Sequence, residues 1–405
     1  MFRFLPRGNT QRIFLDYAAT TPMSRRVCRS MRPYQSGIFA NPSSLHQEGV
    51  RAREAVHDAR KRVAAVLSVK ARDVFFTAGG TESVNLALLG TLRAAQKTMP
   101  AGETPHLIIS AVEHAAVQAA ATILEAEGCR VTTVPVRESG ALDMAALTAA
   151  LTEETVLVAV MYANNEIGTV QPVREVSNVL AAYKTKLGRD TQAYPYLYTD
   201  ASQAPNYCSV QAEKLGVDML TLDGSKIYGP KGIGILYKKP QVIVEPLIYG
   251  GKQEGGMRAG TENVPGIVGF AEALDDAASR RERDAASVRL LADTLYEALR
   301  ARLPDIIRNG THHEQLPNIV NICVPGLHAE FAVLKLDARG IACTATTACK
   351  TNDETGESYV VRALGRPQCA ASSLRFSLGR HTTKRQVIRA AAIIAEVLEG
   401  LSDRS

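Results

Sequence analysis

Nowhere does this chain contain an apolar run approaching the length of a membrane span. Its opening residues, MFRFLPRGNTQRIFLDYAATTP, hold no stretch of signal-peptide length before Asp16. None of the seven cysteines forms a CxxC pair, which leaves neither a zinc ribbon nor a redox dithiol motif. Their odd number and long spacings point to reduced thiols in a reducing compartment. Neither GxGxxG nor a Walker loop is present, so dinucleotide and nucleoside triphosphate sites are disfavoured. No basic stripe with interleaved aromatics offers a nucleic-acid surface. The net charge of +6 is spread along the chain, and the densest charged patch, Arg280-Arg281-Glu282-Arg283-Asp284, carries both signs. Internal repeats and low-complexity tracts are absent too. The composition is that of an ordinary soluble protein, 46% apolar and 22% charged over 405 residues. That length allows roughly two or three domains' worth of core. The expectation is a cytoplasmic enzyme that neither enters a membrane nor binds nucleic acid directly.

From about residue 73 to residue 237, short apolar runs alternate with helical periodicity. Strands are expected at 73–77, 106–110, 131–136, 156–161, 196–200, 218–222 and 233–237. Helices are expected from about 84 to about 95, then at 115–127, 144–151 and 173–187, with an earlier one over 48–67. Asn41-Pro42-Ser43-Ser44 offers that earlier helix a cap. This βαβα order argues for a mainly parallel sheet covered by helices on both faces. After Tyr237 the pattern changes. A glycine-rich segment (249–260) precedes a long helical tract at 264–303. Strands at 318–324 and 374–378 and helices at 329–338 and 383–401 then suggest a second, smaller α/β domain.

The chain makes most sense as a setting for Lys226. In TLDGSKIYGPKGIGILY (221–237) this lysine follows a turn dipeptide, Asp223-Gly224, at the end of a buried strand. An amine partly desolvated on such a bend becomes a nucleophile for carbonyls, the Schiff-base role. A surface lysine in a hairpin is the bland alternative. Gly79-Gly80-Thr81-Glu82-Ser83 joins a strand to a helix, where backbone amides can cradle an anion or simply make a tight turn. His114 and Asn164 each follow a strand, and Asp200 ends one, with Gln203 shortly after. A histidine there can stack on a flat cofactor, and a carboxylate can hold a pyridinium nitrogen. Either could instead cap a helix. All these positions lie at carboxyl ends of strands, the edge along which open α/β sheets bind ligands. An anion cradle, a ring partner and a lysine on one rim point to pyridoxal phosphate. Farther on, Cys349 in GIACTATTACK (340–350) is the candidate nucleophile, since a loop cysteine beside a lysine ionises more readily. Cys343 reads as a packed thiol. Arg375, in SLRFSLGR, can fork onto a substrate carboxylate or pair with an acid of the fold.

With these residues assembled, the chain strongly resembles the cysteine desulfurase and selenocysteine lyase family, of the class V aminotransferase type. The likeness runs from about Ile13 to Leu401. It rests on LDYAATTP (15–22), NPSSLH (41–46), GGTES (79–83), EH (113–114), NNEIG (164–168), TDASQA (199–204), SKIYGPKGIG (225–234), MRAGTEN (257–263) and SLRFSLGR (373–380). The resemblance implies a fold-type I transferase with a seven-stranded sheet. Residues 13–265 would form the large cofactor-binding domain. Residues 266–405 would form the small one, with 1–12 packed nearby. It implies pyridoxal 5′-phosphate on Lys226, with Asp200 at the ring nitrogen and His114 stacked on the ring. Asn164 and Gln203 would contact the ring and its phenolic oxygen side. Gly80, Thr81 and Ser225 would hold the phosphate, with Thr261 reaching in from the other subunit of a homodimer. Asn41, Asn164 and Arg375 would meet the substrate, L-cysteine, and Cys349 would accept its sulfur. The sulfur would then pass to an iron–sulfur scaffold or a tRNA-thiolation protein. Asp223 departs from the pattern, standing where a phosphate-binding hydroxyl is expected. Two neighbouring anions repel, so Asp223 is expected to turn away or pair with a base. Two other readings stay open. One is a lyase or aminotransferase that does not need Cys349, such as selenocysteine lyase. The other is a catalytically silent sulfur-transfer partner.

Overall fold

The computed structural model describes residues 12–100, 102–345 and 357–402. Thirteen strands appear among them. Strand β1 is Ile13–Phe14, β2 Val74–Thr77, β3 His106–Ser110, β4 Arg130–Val134, β5 Thr155–Ala159, β6 Tyr196–Asp200, β7 Met219–Asp223 and β8 Gly234–Lys238. In the rest of the chain β9 is Ile307–Arg308, β10 Ile319–Cys323, β11 Ile341–Ala342, β12 Thr344–Ala345 and β13 Ser373–Ser377.

Seven strands form one sheet in the order β2-β8-β7-β6-β5-β3-β4. Strand β8 runs antiparallel to both neighbours, and the ladder from β7 to β4 is parallel. The interior strand β5, TVLVA, is buried at every residue. That is what a parallel strand covered on both faces requires, and why it reads as a continuous apolar run rather than an alternation. The covering helices include Gln47–Leu67, Gly80–Thr98, Ala115–Ala126 and Val173–Lys186. The first of these starts at Gln47, one residue before the expected 48, and the Asn41–Ser44 segment does not cap it. Its N-cap is His46, whose ring accepts the Gly49 N–H, while the Asn41 side chain closes a local turn onto Ser43 N. Ser44 stands too far before the first helical turn to reach its free amides.

The second lobe is built on a four-stranded antiparallel sheet, β12-β13-β10-β9. Strand β1 pairs in parallel with β11, so the start of the described chain is stitched to residues 341–342. Ile13 and Leu15 accordingly pack with Val320, Ile322, Leu374 and Phe376 rather than with the large sheet. One helix, Val264–Arg302, serves both lobes. Ile267, Phe270, Ala271 and Leu274 join the core under the large sheet, while Val288, Ala292, Leu295 and Leu299 join the second core. At 1.5 Å per residue this rod is about 58 Å long. Arg380, just beyond β13, adds a further tie: it pairs with Asp276 of the rod and lies 3.8 Å above the Tyr228 ring, two residues past Lys226.

One expectation fails. Cys323 and Cys369 form a disulfide, with Cα atoms 5.4 Å apart across a sequence separation of 46. The fold brings β10 against the short helix Pro367–Ala370, a meeting that no local spacing announces. Cys28, Cys129, Cys208 and Cys343 are free thiols, as expected. No helix among the described residues is long and apolar enough to cross a membrane.

Candidate active site

A cavity of about 360 Å³ opens where the carboxyl ends of the large sheet face the small lobe. Its large-lobe side is a series of strand ends. Strand β2 leads through Gly79 to Gly80 and Thr81, β3 to His114, β5 to Met161 and Asn165, β6 to Asp200, and β7 to Asp223, Ser225 and Lys226. The opposite side carries Thr344 and Arg375. Asp16, Ala18 and Ala19 line it as well, brought there as the chain leaves β1 and crosses between lobes.

Lys226 closes a 3₁₀ turn, Gly224–Lys226, directly after β7. Its Nζ donates to the carbonyls of Ala18 at 3.2 Å and Ala19 at 2.6 Å. The same N-terminal segment grips the turn a second time. Thr21 donates through both its backbone N–H and its hydroxyl to Ser225 O, each at 2.8 Å, and its hydroxyl accepts Tyr228 N–H. Asn206 holds the Lys226 carbonyl. The amine is therefore presented from a fixed turn, aimed by backbone acceptors that hold an ammonium without neutralising it.

Asp200 accepts from both the backbone N–H and the hydroxyl of Ser202 on one oxygen, Oδ1. His114 caps the helix Ala115–Ala126, its Nδ1 accepting Ala116 N–H at 3.1 Å, so the ring proton resides on Nε2. Burial lowers the His114 pKa. Lys226 pushes the same way, and Asp200 and Asp223 oppose it. The imidazole is thus neutral at neutral pH. Gln203 donates to Ala18 O, the acceptor it shares with Lys226.

Arg375 is buried, 5% exposed. It donates from Nη2 to Asp16 Oδ1 at 2.7 Å and from Nη1 to the Asn165 carbonyl at 2.9 Å. Its Nε has no hydrogen-bond partner among the described residues. Two buried acids back the cleft. Glu113 accepts Ser110 Oγ and Met161 N–H on Oε1, and burial pushes its carboxyl up to about 8. Glu166 accepts Ser358 Oγ at 2.6 Å, and burial pushes it up to about 7.

The sequence profile described as Aminotransferase class-V matches residues 13–389. The chain belongs to the class-V aminotransferase family. It is 36% identical to the "Cysteine desulfurase IscS" of Dictyoglomus turgidum over 390 residues, which are 96% of this chain and 95% of that protein. Among solved structures, a "NifS-like protein" superposes with a TM-score of 0.87 at 31% identity, covering 96% of this chain and all of its own. A structure described as "SspA in complex with cysteine" superposes with a TM-score of 0.74 at 30% identity, covering 92% of this chain and 100% of that one.

Within this member of the class-V aminotransferase family, the structure gathers most of the residues the sequence singled out. Gly80, Thr81, His114, Asp200, Gln203, Asp223, Ser225, Lys226 and Arg375 share the one cleft. Asn164 does not line it. Its amide donates to Val112 O and its Oδ1 accepts the N–H groups of Glu166 and Ile167, so the side chain is spent folding its own turn, and Asn165 faces the cleft instead. Asn41 is exposed and does not line the cleft, and Thr261, also exposed, lines a separate cavity with Glu254, Arg258 and Asn263. Cys349 lies outside the described residues. Asp223 has no ion pair with a base among the described residues and is held by backbone amides. Its Oδ2 accepts Gly80 N–H at 2.9 Å and its Oδ1 accepts Ser225 N–H at 2.7 Å.

Several participants went unnoticed in the sequence. The carbonyls of Ala18 and Ala19 carry no side-chain signal. Asp16 sits in LDYAATTP and Ser202 in TDASQA, both quoted as motifs without a role. Glu113 and Glu166 stand beside residues that were chosen, and only burial marks them out.

Proposed function

We propose that this protein is a pyridoxal 5′-phosphate-dependent cysteine desulfurase. It converts L-cysteine to L-alanine and leaves the sulfur as a persulfide on an enzyme cysteine, for delivery to an acceptor protein such as an iron–sulfur scaffold or a tRNA-thiolation protein. The observation that carries the reading is the convergence of Lys226, Asp200 and His114 from the ends of β7, β6 and β3 on one cleft, with Arg375 across it. The names of the relatives support it.

The donor set fits the cofactor. Lys226 offers an amine for its aldehyde, Asp200 a carboxylate for the ring nitrogen, His114 a neutral ring for its face and Gln203 an amide for its phenolic oxygen. Gly80, Thr81 and Ser225 offer donors for a phosphate. A side chain at position 80 would crowd this end, since its Cβ would lie 3.2 Å from Asp223 Oδ2 and 3.4 Å from Ser202 Oγ. Bound there, the cofactor supplies the electron sink for chemistry at the α-carbon of an amino acid.

The protein's own groups do the rest. Arg375 fixes the substrate's α-carboxylate with N–H donors that Asp16 and Asn165 leave unused. Lys226 moves protons at the α-carbon, its amine returned to the same place by the Ala18 and Ala19 carbonyls. His114 presents Nε2–H to the cleft. Cys349 takes the sulfur: its S–H proton and the C–S bond of the substrate are exchanged for an S–S bond and a C–H bond, so one cysteine and one thiol give one alanine and one persulfide. Thr261, exposed and away from its own cleft, is the residue a second copy would contribute in a homodimer.

Incubation with L-cysteine tests the reading. Alanine and persulfide are expected in equal amounts. A wild-type protein that yields no alanine overturns it, and undiminished persulfide in Cys349→Ser removes Cys349 from the scheme.

A further inference from the structure

Asp223 sets the terms on which a phosphate enters this cleft. We infer that its carboxylate is the resident anion of the cradle, and that a phosphate-bearing ligand binds only by displacing it. The inference rests on the cofactor reading above.

Gly80 is the first residue of a 19-residue helix, Gly80–Thr98, and its N–H is one of the amides that such a helix start leaves without an internal partner. The Ser225 N–H belongs to the turn that carries Lys226. These two amides come from different strand ends, β2 and β7, and are separated by the intervening strand β8 in the sheet. One side chain satisfies both. Asp223 reaches Gly80 with one oxygen and Ser225 with the other. The carboxylate lies where the positive end of the helix favours an anion.

The backbone is shaped for this grip. Gly79 adopts φ +151°, a conformation that side-chain-bearing residues rarely take. A Cβ on Gly80 would stand 3.2 Å from Asp223 Oδ2, so its absence lets the carboxylate descend onto the amide. The same donors are the ones a phosphate needs, and a dianion cannot share them with a carboxylate at hydrogen-bond distance, because like charges at that range repel strongly. Entry is therefore an exchange of one anion for another. The net gain from the phosphate end is the difference between the two, whereas the ring end, held by Lys226, Asp200 and His114, feels Asp223 through its charge near His114.

A titration of the full chain, freed of cofactor, separates these ends. Inorganic phosphate, pyridoxal 5′-phosphate and unphosphorylated pyridoxal are each titrated by calorimetry into wild type, Asp223→Ser and Asp223→Asn. The serine variant removes the charge and leaves a hydroxyl that can join the cradle. It is expected to bind inorganic phosphate and pyridoxal 5′-phosphate about tenfold or more tightly than wild type. Pyridoxal is expected to bind both nearly alike. The asparagine variant, similar in shape, is expected to fall between and covers the case of a serine variant that does not fold. Raising phosphate concentration should raise Tm in the variants and barely move it in wild type. Equal or tighter phosphate binding by wild type overturns the inference. Absence of a borohydride-fixed pyridoxyl group on Lys226 in every version retires the cofactor reading instead, while the phosphate titration still decides the role of Asp223.

Discussion

On the large-lobe side of the cleft each polar group follows the end of a strand, whereas on the small-lobe side Arg375 stands in the middle of one, opposite Asn321 and Thr344 in the ladder. The first arrangement holds its groups by turns that are local in sequence. The Lys226 turn, the Asp200–Ser202 pair and the His114 cap each close within a few residues. The second is held by partners distant in sequence: Asp16, bridged to Ser377 of the same strand, and Asn165, from across the lobe boundary, aim Arg375. Local closure shapes each turn on the large-lobe side, and the N-terminal segment grips the Lys226 turn in addition through Ala18, Ala19 and Thr21. The small-lobe side is only as well placed as the contact between lobes.

Four changes sharpen or break that contrast. Lys226→Ala strikes the large-lobe side where the chemistry is centred. Its kcat for alanine formation should fall on the order of 10³-fold or more, with near-normal Tm, since the amine contacts carbonyls at the cleft and fills no core. A variant retaining a tenth of wild-type turnover would move the chemistry elsewhere.

Arg375→Ala strikes the other side. Loss of a charge-assisted carboxylate contact, about 1.5–3 kcal/mol, should raise KM for cysteine by roughly 10- to 100-fold. Tm should fall too, because Asp16 loses a largely buried partner. Arg375→Lys should keep the charge and restore less than the full affinity, as an ammonium cannot fork. An unchanged KM would mean that Arg375 only braces the lobes.

The disulfide belongs to the small lobe as well. Cys323→Ser, or reduction, releases a loop of 46 residues and should cost about 2–4 kcal/mol of stability by the usual entropy argument, read as a lower midpoint in urea. A midpoint unmoved by reductant would show the pair contributes nothing.

The smallest effect concerns Glu113. Its folded-state carboxyl, pushed up to about 8 by burial, lies above the ordinary value of 4.5. The stability it contributes as a neutral acid is therefore complete below about pH 4.5 and is lost as pH rises through about 8. Wild-type Tm should decline between about pH 5 and pH 9, and Glu113→Gln, which still accepts from Ser110 and Met161, should flatten that decline. Parallel curves would mean that Glu113 does not take up charge over this range.

The same contrast explains what could be read from the sequence. Lys226, Asp200, His114 and Gly80 were legible because a strand end followed by a glycine or polar turn is written in consecutive residues. The parallel sheet was legible for a related reason: β5 is a continuous apolar run, as burial on both faces demands. Asp16 was not legible as the partner of Arg375, since 359 residues separate them. Nor was the Cys323–Cys369 pair, or the pairing of β1 with β11. Asn164 shows a different limit. Its position after β5 was read correctly, but an Asx-type turn consumed the side chain, and position along a strand does not reveal which way an amide folds back. Asp223 misled for the same reason: repulsion between two anions was weighed, and the two backbone amides that welcome one of them were not visible.

The rod Val264–Arg302 has an apolar stripe at each end, rooted in a different core. Severing the chain between the stripes would deprive the second core of Ile13 and Leu15, which reach it from the far end of the sequence, and would bare the apolar surface they cover, an invitation to aggregate. Neither half is then a self-sufficient fragment, and any motion that widens or narrows the mouth above Lys226 has to flex one continuous helix rather than swing on a loop.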